Sequence, residues 1–290
     1  MTGTDIYDVD LEELSRQGQT TEACYWSLAL DDIGNALDLL RPVYDDSGGA
    51  DGFVSVEVDP NLAHDSEATV EAARLLHTSL DRPNLYVKIP GTLEGLPAIQ
   101  QMISEGRNIN VTLIFSLERY KQVVEAYLAG LESFTGDLSK VSSVASFFIS
   151  RTDTEVDRRL EMLTTPEALS LRGRAAIAQG QIAYETFQGL FSGERWETLR
   201  ARGAQVQRPL WASTSTKNPN YPDTLYVDSL IGPNTINTLP ESTLEAFIDH
   251  GQVIRTLDSG VEQAHADLDS ISRLGIDLDD VARSLEIEGV

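Results

Sequence analysis

The sequence holds a single cysteine, Cys24, so no internal disulfide can form, which fits a reducing compartment. Positive charge is also sparse: 22 lysines and arginines stand against 46 aspartates and glutamates, a net charge of −24 at pH 7. That surplus argues against nucleic acid or an anionic membrane as partner and reads most simply as a solubility feature, as do adjacent pairs such as Asp31-Asp32. No apolar run is long enough to span a bilayer, and the first residues lack the basic-then-apolar order of a signal peptide. These absences predict a soluble cytoplasmic protein. Histidine is scarce as well. His64, His77, His250 and His265 lie away from predicted strand ends and other ligands, leaving a zinc site or a Ser–His–Asp triad with little support. Neither a Gly-x-Gly-x-x-Gly after the first strand nor a Gly-Lys-Ser/Thr phosphate loop occurs, so nucleotide-binding folds lose ground.

What remains is 290 residues of ordinary hydrophobic content, 41%, with no repeat, low-complexity segment or linker. A single domain over residues 1–290 is expected. Strand-like apolar runs at Phe53–Val58, Leu85–Pro90, Ile109–Phe115, Val141–Phe148, Pro209–Thr214 and Thr235–Leu239 alternate with helix-period stretches. The clearest of those stretches are Glu67–Leu80, Leu117–Leu131 and Glu167–Leu190, with Ser66 and Ser116 as predicted N-caps. Such alternation predicts a parallel sheet covered by helices, either doubly wound or a barrel.

Lysine occurs only at positions 88, 121, 140 and 217. Lys88 stands inside an apolar strand that ends at Pro90, where a charge is costly unless it is paired or neutralised. A neutral amine in a pocket attacks carbonyls and forms Schiff bases. An edge lysine or one snorkelling to solvent fits the strand alone equally well.

Side chains two apart on a strand share a face, and function collects at the C-terminal strand ends of parallel barrels. The first strand aligns Ser55, Glu57 and Asp59, the second Tyr86 and Lys88, the third Asn110 and Thr112. One buried polar group is usually a satisfied core hydrogen bond; three strands in succession carrying them point to a common site. Ser146 lies near the end of the fourth strand with Arg151 just beyond it, and the fifth ends in Ala212-Ser213-Thr214-Ser215-Thr216-Lys217. Hydroxyls with a guanidinium or ammonium suit a phosphate group, unless Arg151 instead pairs with Asp153 or Glu155.

Four segments together resemble transaldolase: Ser55-Val-Glu-Val-Asp-Pro60, Val87-Lys-Ile-Pro-Gly-Thr92-Leu-Glu-Gly-Leu, Asn110-Val-Thr-Leu-Ile-Phe-Ser116-Leu-Glu-Arg-Tyr120 and Val144-Ala-Ser-Phe-Phe-Ile-Ser-Arg151. Pro209-Leu-Trp-Ala-Ser-Thr-Ser-Thr-Lys-Asn-Pro219, followed by Asp223-Thr-Leu-Tyr-Val-Asp228, resembles the longer bacterial branch of that family. The resemblance implies a class I aldolase-type (β/α)8 TIM barrel of the pentose phosphate pathway. It would move a dihydroxyacetone unit from sedoheptulose 7-phosphate to glyceraldehyde 3-phosphate. By the same resemblance Lys88 is the Schiff-base lysine, Glu57 handles protons through a water, and Thr112 holds that water. Asn110 would bind substrate hydroxyls, while Ser146, Arg151 and Ser213, with Lys217 as a further candidate, would bind phosphate. No metal or organic cofactor is implied. A simple class I sugar-phosphate aldolase would share the lysine, and a catalytically silent barrel is the non-enzymatic alternative.

The family's opening strand with a catalytic Asp and its Thr-Ser-Asn-Pro-like second strand have no counterpart in the sequence. The six strands therefore correspond to the third to eighth of the barrel, and Met1-Thr-Gly-Thr-Asp-Ile-Tyr-Asp8 resembles the stretch after that second motif. Gly275 to Val290 similarly resembles a penultimate helix without the last one. A fragment is expected on this ground, with open sheet edges that leave it poorly stable or closed by self-association.

Overall fold

Six strands run parallel in simple chain order: β1 (Val54–Glu57), β2 (Leu85–Pro90), β3 (Ile109–Ile114), β4 (Ser143–Phe148), β5 (Arg208–Ala212) and β6 (Ile236–Asn237). The structure, a computed structural model, describes residues 5–290. Met1 to Thr4, part of the N-terminal stretch compared above, lie outside the described residues. Every predicted strand is present, most of them shortened. β6 shrinks furthest because left-handed Asn234 precedes it and Pro240 already caps the helix Glu241–His250.

The period of two sorts each strand into two faces. Outward-pointing Val56, Val87, Ile89, Val111, Ala145, Phe147 and Trp211 join the main core, packed against Ile99, Met102, Tyr120 and Leu131 from the covering helices. The inward face gathers Tyr86, Val144, Leu210 and Ala212 with Phe53, Phe148 and Ile236. Residues from opposite ends of the strand order meet there because the sheet curls. Arg208 Nη2, opening β5, accordingly donates to the Ala50 carbonyl just ahead of β1 at 2.9 Å. The result is a TIM-barrel-like arrangement in which, among the described residues, β1 pairs only with β2 and β6 only with β5. No helix among the described residues is long and apolar enough to cross a membrane.

Helices fill the crossovers, as parallel pairing requires. Leu117–Ser133 begins as predicted, with Ser116 Oγ accepting from Arg119 N. Two helix expectations need correction. Asp65, not Ser66, caps the helix Ser66–Leu80, because its carboxylate accepts from Ala68 N while Ser66 Oγ donates to the Glu94 carbonyl. The long stretch Glu167–Leu190 is two helices, Pro166–Ser170 and Ala175–Leu190. It breaks at Gly173, whose φ of +73° only glycine adopts without strain, with the Tyr221 ring packed over it.

Candidate active site

Lys88 and Glu57 occupy directly opposed positions of β2 and β1. Their side chains meet at the C-terminal end of the sheet, Lys88 Nζ to Glu57 Oε2 at 3.1 Å. The lysine is half-buried, 27% exposed, and its carboxylate partner 42%. Lys88 is thus neither sealed in the core nor splayed on an edge: it opens toward solvent with a proton acceptor beside it.

Beneath this pair runs a chain of polar side chains. Asn110, opposite Lys88 on β3, donates through Nδ2 to Ser55 Oγ at 3.1 Å and accepts through Oδ1 from Ser146 Oγ at 2.7 Å. Three strands are bridged across the inner face, and both ends of the amide are engaged. Asn110 and Ser146 are 6% and 3% exposed, so the network is a buried, satisfied one. Ser146, expected in the anion-binding group, donates its hydroxyl into this chain.

Thr112, fully buried, follows Asn110 on the same face of β3. The strand is irregular just beyond it: register with β4 shifts between Val111 and Ile114, and Leu113 adopts a φ of +59°. A left-handed leucine is strained, and bulges of this kind re-aim neighbouring side chains. The strain sits one residue after Thr112 and three positions from Asn110, the residue opposite Lys88.

The loop after β2 is pinned from all sides. Gly91 N donates to the Thr112 carbonyl at 2.7 Å, Arg119 Nη1 donates to the Gly91 carbonyl at 2.7 Å, and Thr92 Oγ1 donates to the Ala63 carbonyl at 2.5 Å. Gly95 has room for nothing larger, since a Cβ would stand 2.0 Å from the Pro90 carbonyl oxygen. The motif Pro90-Gly-Thr-Leu-Glu-Gly95 is therefore a structural clamp on the strand that carries Lys88.

Two residues named with these strands lie elsewhere. Asp59 falls beyond the end of β1, and its carboxylate caps the turn Pro60–Leu62 by accepting from Asn61 N at 2.8 Å. Tyr86 points inward nearer the opposite end of the sheet, its hydroxyl 2.5 Å from Ser142 Oγ and pushed up to about 12 by burial.

Around the ends of β4 and β5 the polar groups form a second set. Ser213, with a φ of +55°, places Oγ 3.0 Å from Ser150 Oγ, and its carbonyl accepts from Ser150 N at 2.9 Å. Lys217 Nζ donates to Ser215 Oγ at 2.6 Å in the same loop. Arg151 is exposed, stands over the Phe148 ring at 5.1 Å, and forms no ion pair among the described residues. The pairing with Asp153 or Glu155 that the sequence allowed does not occur. Glu155 is taken by Arg158 and Arg159, and Asp153 is buried under Tyr226.

A family model described as Transaldolase/Fructose-6-phosphate aldolase matches residues 1–290. The chain belongs to this family. It is 51% identical over 290 residues to "Transaldolase 2" of Streptomyces avermitilis, covering 99% of this chain and 78% of that protein. Identity to "Transaldolase" of a Parafrankia species is 52% over 292 residues, covering 99% and 79%. "Transaldolase" of Mycolicibacterium smegmatis is 51% identical over 288 residues, covering 98% and 78%. The protein is an enzyme of the transaldolase type, acting on sugar phosphates. These relatives match over nearly the whole of this chain, which spans 78% and 79% of the length of the first two.

For this transaldolase-type site the sequence missed the residues that hold its parts together. Arg119 clamps Gly91, and Ser150, Asp153 and Asp157 tie down the loop after β5. The spacing of the last three, one helical face, was a signal available in the sequence.

Proposed function

We propose that this enzyme transfers a dihydroxyacetone unit from sedoheptulose 7-phosphate to glyceraldehyde 3-phosphate through a Schiff base on Lys88. Lys88 Nζ adds to the ketose carbonyl carbon, and the carbonyl oxygen leaves as water, giving an iminium. The bond between C3 and C4 then breaks as the C4 hydroxyl gives up its proton, and the electron pair flows into the iminium to leave an enamine. Erythrose 4-phosphate departs. The enamine carbon attacks the aldehyde of glyceraldehyde 3-phosphate, the new alkoxide takes a proton, and hydrolysis releases fructose 6-phosphate and Lys88.

Glu57 is the group placed to move protons at the amine, through a water that Thr112 helps hold; Asn110 orients substrate hydroxyls. Ser146, Arg151, Ser213 and Lys217 serve the phosphate, with Arg151 and Lys217 the exposed members of that set and Ser213 half-buried. The observation that carries the reading is the Lys88–Glu57 pair at 3.1 Å on facing strand ends, above a satisfied polar chain.

Borohydride trapping with fructose 6-phosphate, followed by mass spectrometry of the Lys88 peptide, tests it. A reduced adduct on Lys88 is the expected result; soluble protein without an adduct at saturating sugar overturns it. Product analysis with and without an acceptor aldehyde then separates transfer from simple aldol cleavage.

The same proposal assigns β1 to β6 as the third to eighth strands of an eight-stranded barrel and has their free edges close by self-association in the cytoplasm. The outer edges of β1 and β6, each strand pairing with a single neighbour among the described residues, support it. A monomer by sedimentation, with a single cooperative melt at high temperature, would count against it.

A further inference from the structure

The helix Ser150–Leu163 presents Ser150, Asp153 and Asp157 at spacings of three and four, and therefore on one face. Each of the three is bound to the segment that follows β5, which includes the short helix Leu225–Ser229. Ser150 meets Ser213 through both hydroxyl and backbone, at 3.0 and 2.9 Å. One turn on, Asp153 Oδ2 accepts from Tyr226 Oη at 2.9 Å; a further turn on, Asp157 Oδ2 accepts from Tyr221 Oη at 2.5 Å.

The remaining carboxylate oxygens are not idle. Asp153 Oδ1 accepts from Ala176 N at 2.7 Å and Asp157 Oδ1 from Gly173 N at 2.9 Å, fixing both side chains against the start of the helix Ala175–Leu190. Asp153 is 1% exposed, Asp157 7% and Tyr226 2%. Two buried carboxylates without a cation between them are costly, and burial pushes both upward, Asp153 to about 7. A solvated surface tie between helix and loop would not carry that cost.

The placement explains what the cost maintains. Arg151 projects from the first turn of this helix, and Ser213 and Lys217 belong to the laced loop. Lys217, Asn218 and Tyr221 line a cavity of about 180 Å³ together with Asp153 and Asp157. The two halves of the anion-binding set thus sit on separate segments whose spacing is set by these bonds.

We propose that Asp153 and Asp157 are positioning residues that, through Tyr226 and Tyr221, hold the Ser213–Lys217 loop at the distance from Arg151 that a substrate phosphate requires. The inference rests on the reading of Arg151, Ser213 and Lys217 as the phosphate site. It assigns the two aspartates no contact with substrate. Neither sugar chemistry nor the amine at Lys88 depends on them.

The test compares Tyr221→Phe, Asp157→Ala and Asp157→Asn with Arg151→Ala in the full chain. The readouts are kcat and KM for fructose 6-phosphate with an aldose acceptor, and inhibition by inorganic phosphate, with circular dichroism as the check of folding. Tyr221→Phe and Asp157→Ala should raise both KM and the phosphate inhibition constant roughly tenfold, the worth of a lost hydrogen bond to a charged group, with kcat within about twofold. Asp157→Asn keeps an acceptor for Gly173 N and a partner for Tyr221, and should restore near-parental values. Folded Tyr221→Phe with KM and phosphate inhibition unchanged would overturn the inference. So would an Asp157→Asn variant as impaired as Asp157→Ala, since charge and not the hydrogen bond would then matter. If Arg151→Ala weakens phosphate inhibition while Tyr221→Phe does not, the positioning role alone fails. If Arg151→Ala also has no effect, the phosphate-site reading fails with it.

Discussion

The ammonium of Lys88 and the carboxylate of Glu57 lie 3.1 Å apart because β1 and β2 are in register at those two positions. A one-residue slip of either strand would turn one of them into the apolar outer face. The pair places an acid–base group against the one lysine that stands on a strand.

Replacing Lys88 by Met removes the proposed nucleophile, and both turnover and borohydride trapping should vanish while the fold persists. Glu57→Gln should behave differently. Lysine remains reactive, so an adduct still forms, but proton transfer suffers and kcat should fall by on the order of 10²–10⁴. Parallel trapping and steady-state assays distinguish the two; a Glu57→Gln variant with parental kcat would remove Glu57 from proton transfer.

Asn110→Ala strips the middle from the Ser55–Asn110–Ser146 chain and leaves two hydroxyls short of a partner in a buried setting. The expected cost is about 1–3 kcal/mol. Thermal unfolding should show it as a drop of several degrees, and Ser146→Ala should lower stability by less, since it deprives Asn110 of a single donor.

His77 is held down to about 4, first by burial and then by the charge of Arg107, below the ordinary 6.5. Its folded state therefore binds fewer protons than the unfolded chain between those values. The stability it supports is fully present above pH 6.5 and is lost as pH falls toward 4. The loss amounts to on the order of 3 kcal/mol at most. His77→Gln should flatten this part of the acid limb, visible as a smaller difference between urea midpoints at pH 7.5 and 4.5 than in the parent.

Asp153 has the opposite sign. Burial is the main cause that lifts its carboxyl to about 7, with Asp157 adding to the shift while Ala176 N and Tyr226 oppose it. The folded state then holds a proton that the unfolded chain has released, so stability from this group is highest below pH 4 and declines as pH rises to 7. Asp153→Asn, which keeps an acceptor for Ala176 N and a partner for Tyr226, should be near neutral at pH 4. At pH 8 it should be stabilising by about 2–4 kcal/mol. Denaturant midpoints across that range decide it; a variant destabilised equally at both pH values would show the carboxylate to be paired, not strained.

Much of the architecture was legible in the sequence. All six strand positions followed from apolar runs punctuated by polar starts, because a parallel strand buried on both faces has few other compositions available. Ser116 was legible as an N-cap for the same local reason. The break in Glu167–Leu190 was not, since periodicity continues through Leu171–Arg174 and only the left-handed Gly173 under Tyr221 interrupts the helix. Asp59 was misplaced because alternation along β1 was carried two residues past Glu57, where the carboxylate found backbone N–H groups to cap.

By itself the sequence determined the family, the parallel sheet and the face on which Glu57, Lys88, Asn110 and Thr112 stand, because a period of two fixes sidedness once strands are placed. Only the tertiary structure decided which of those groups meet. Curling of the sheet joined Ser55, Asn110 and Ser146 across three strands, and register opposed Lys88 to Glu57. The face shared by Ser150, Asp153 and Asp157 could be read from their spacing, but their partners Ser213, Tyr226 and Tyr221, 63 to 73 residues away, had no local signature. Local pattern follows from backbone geometry within a few residues, whereas these contacts exist only once distant segments have been brought together by packing.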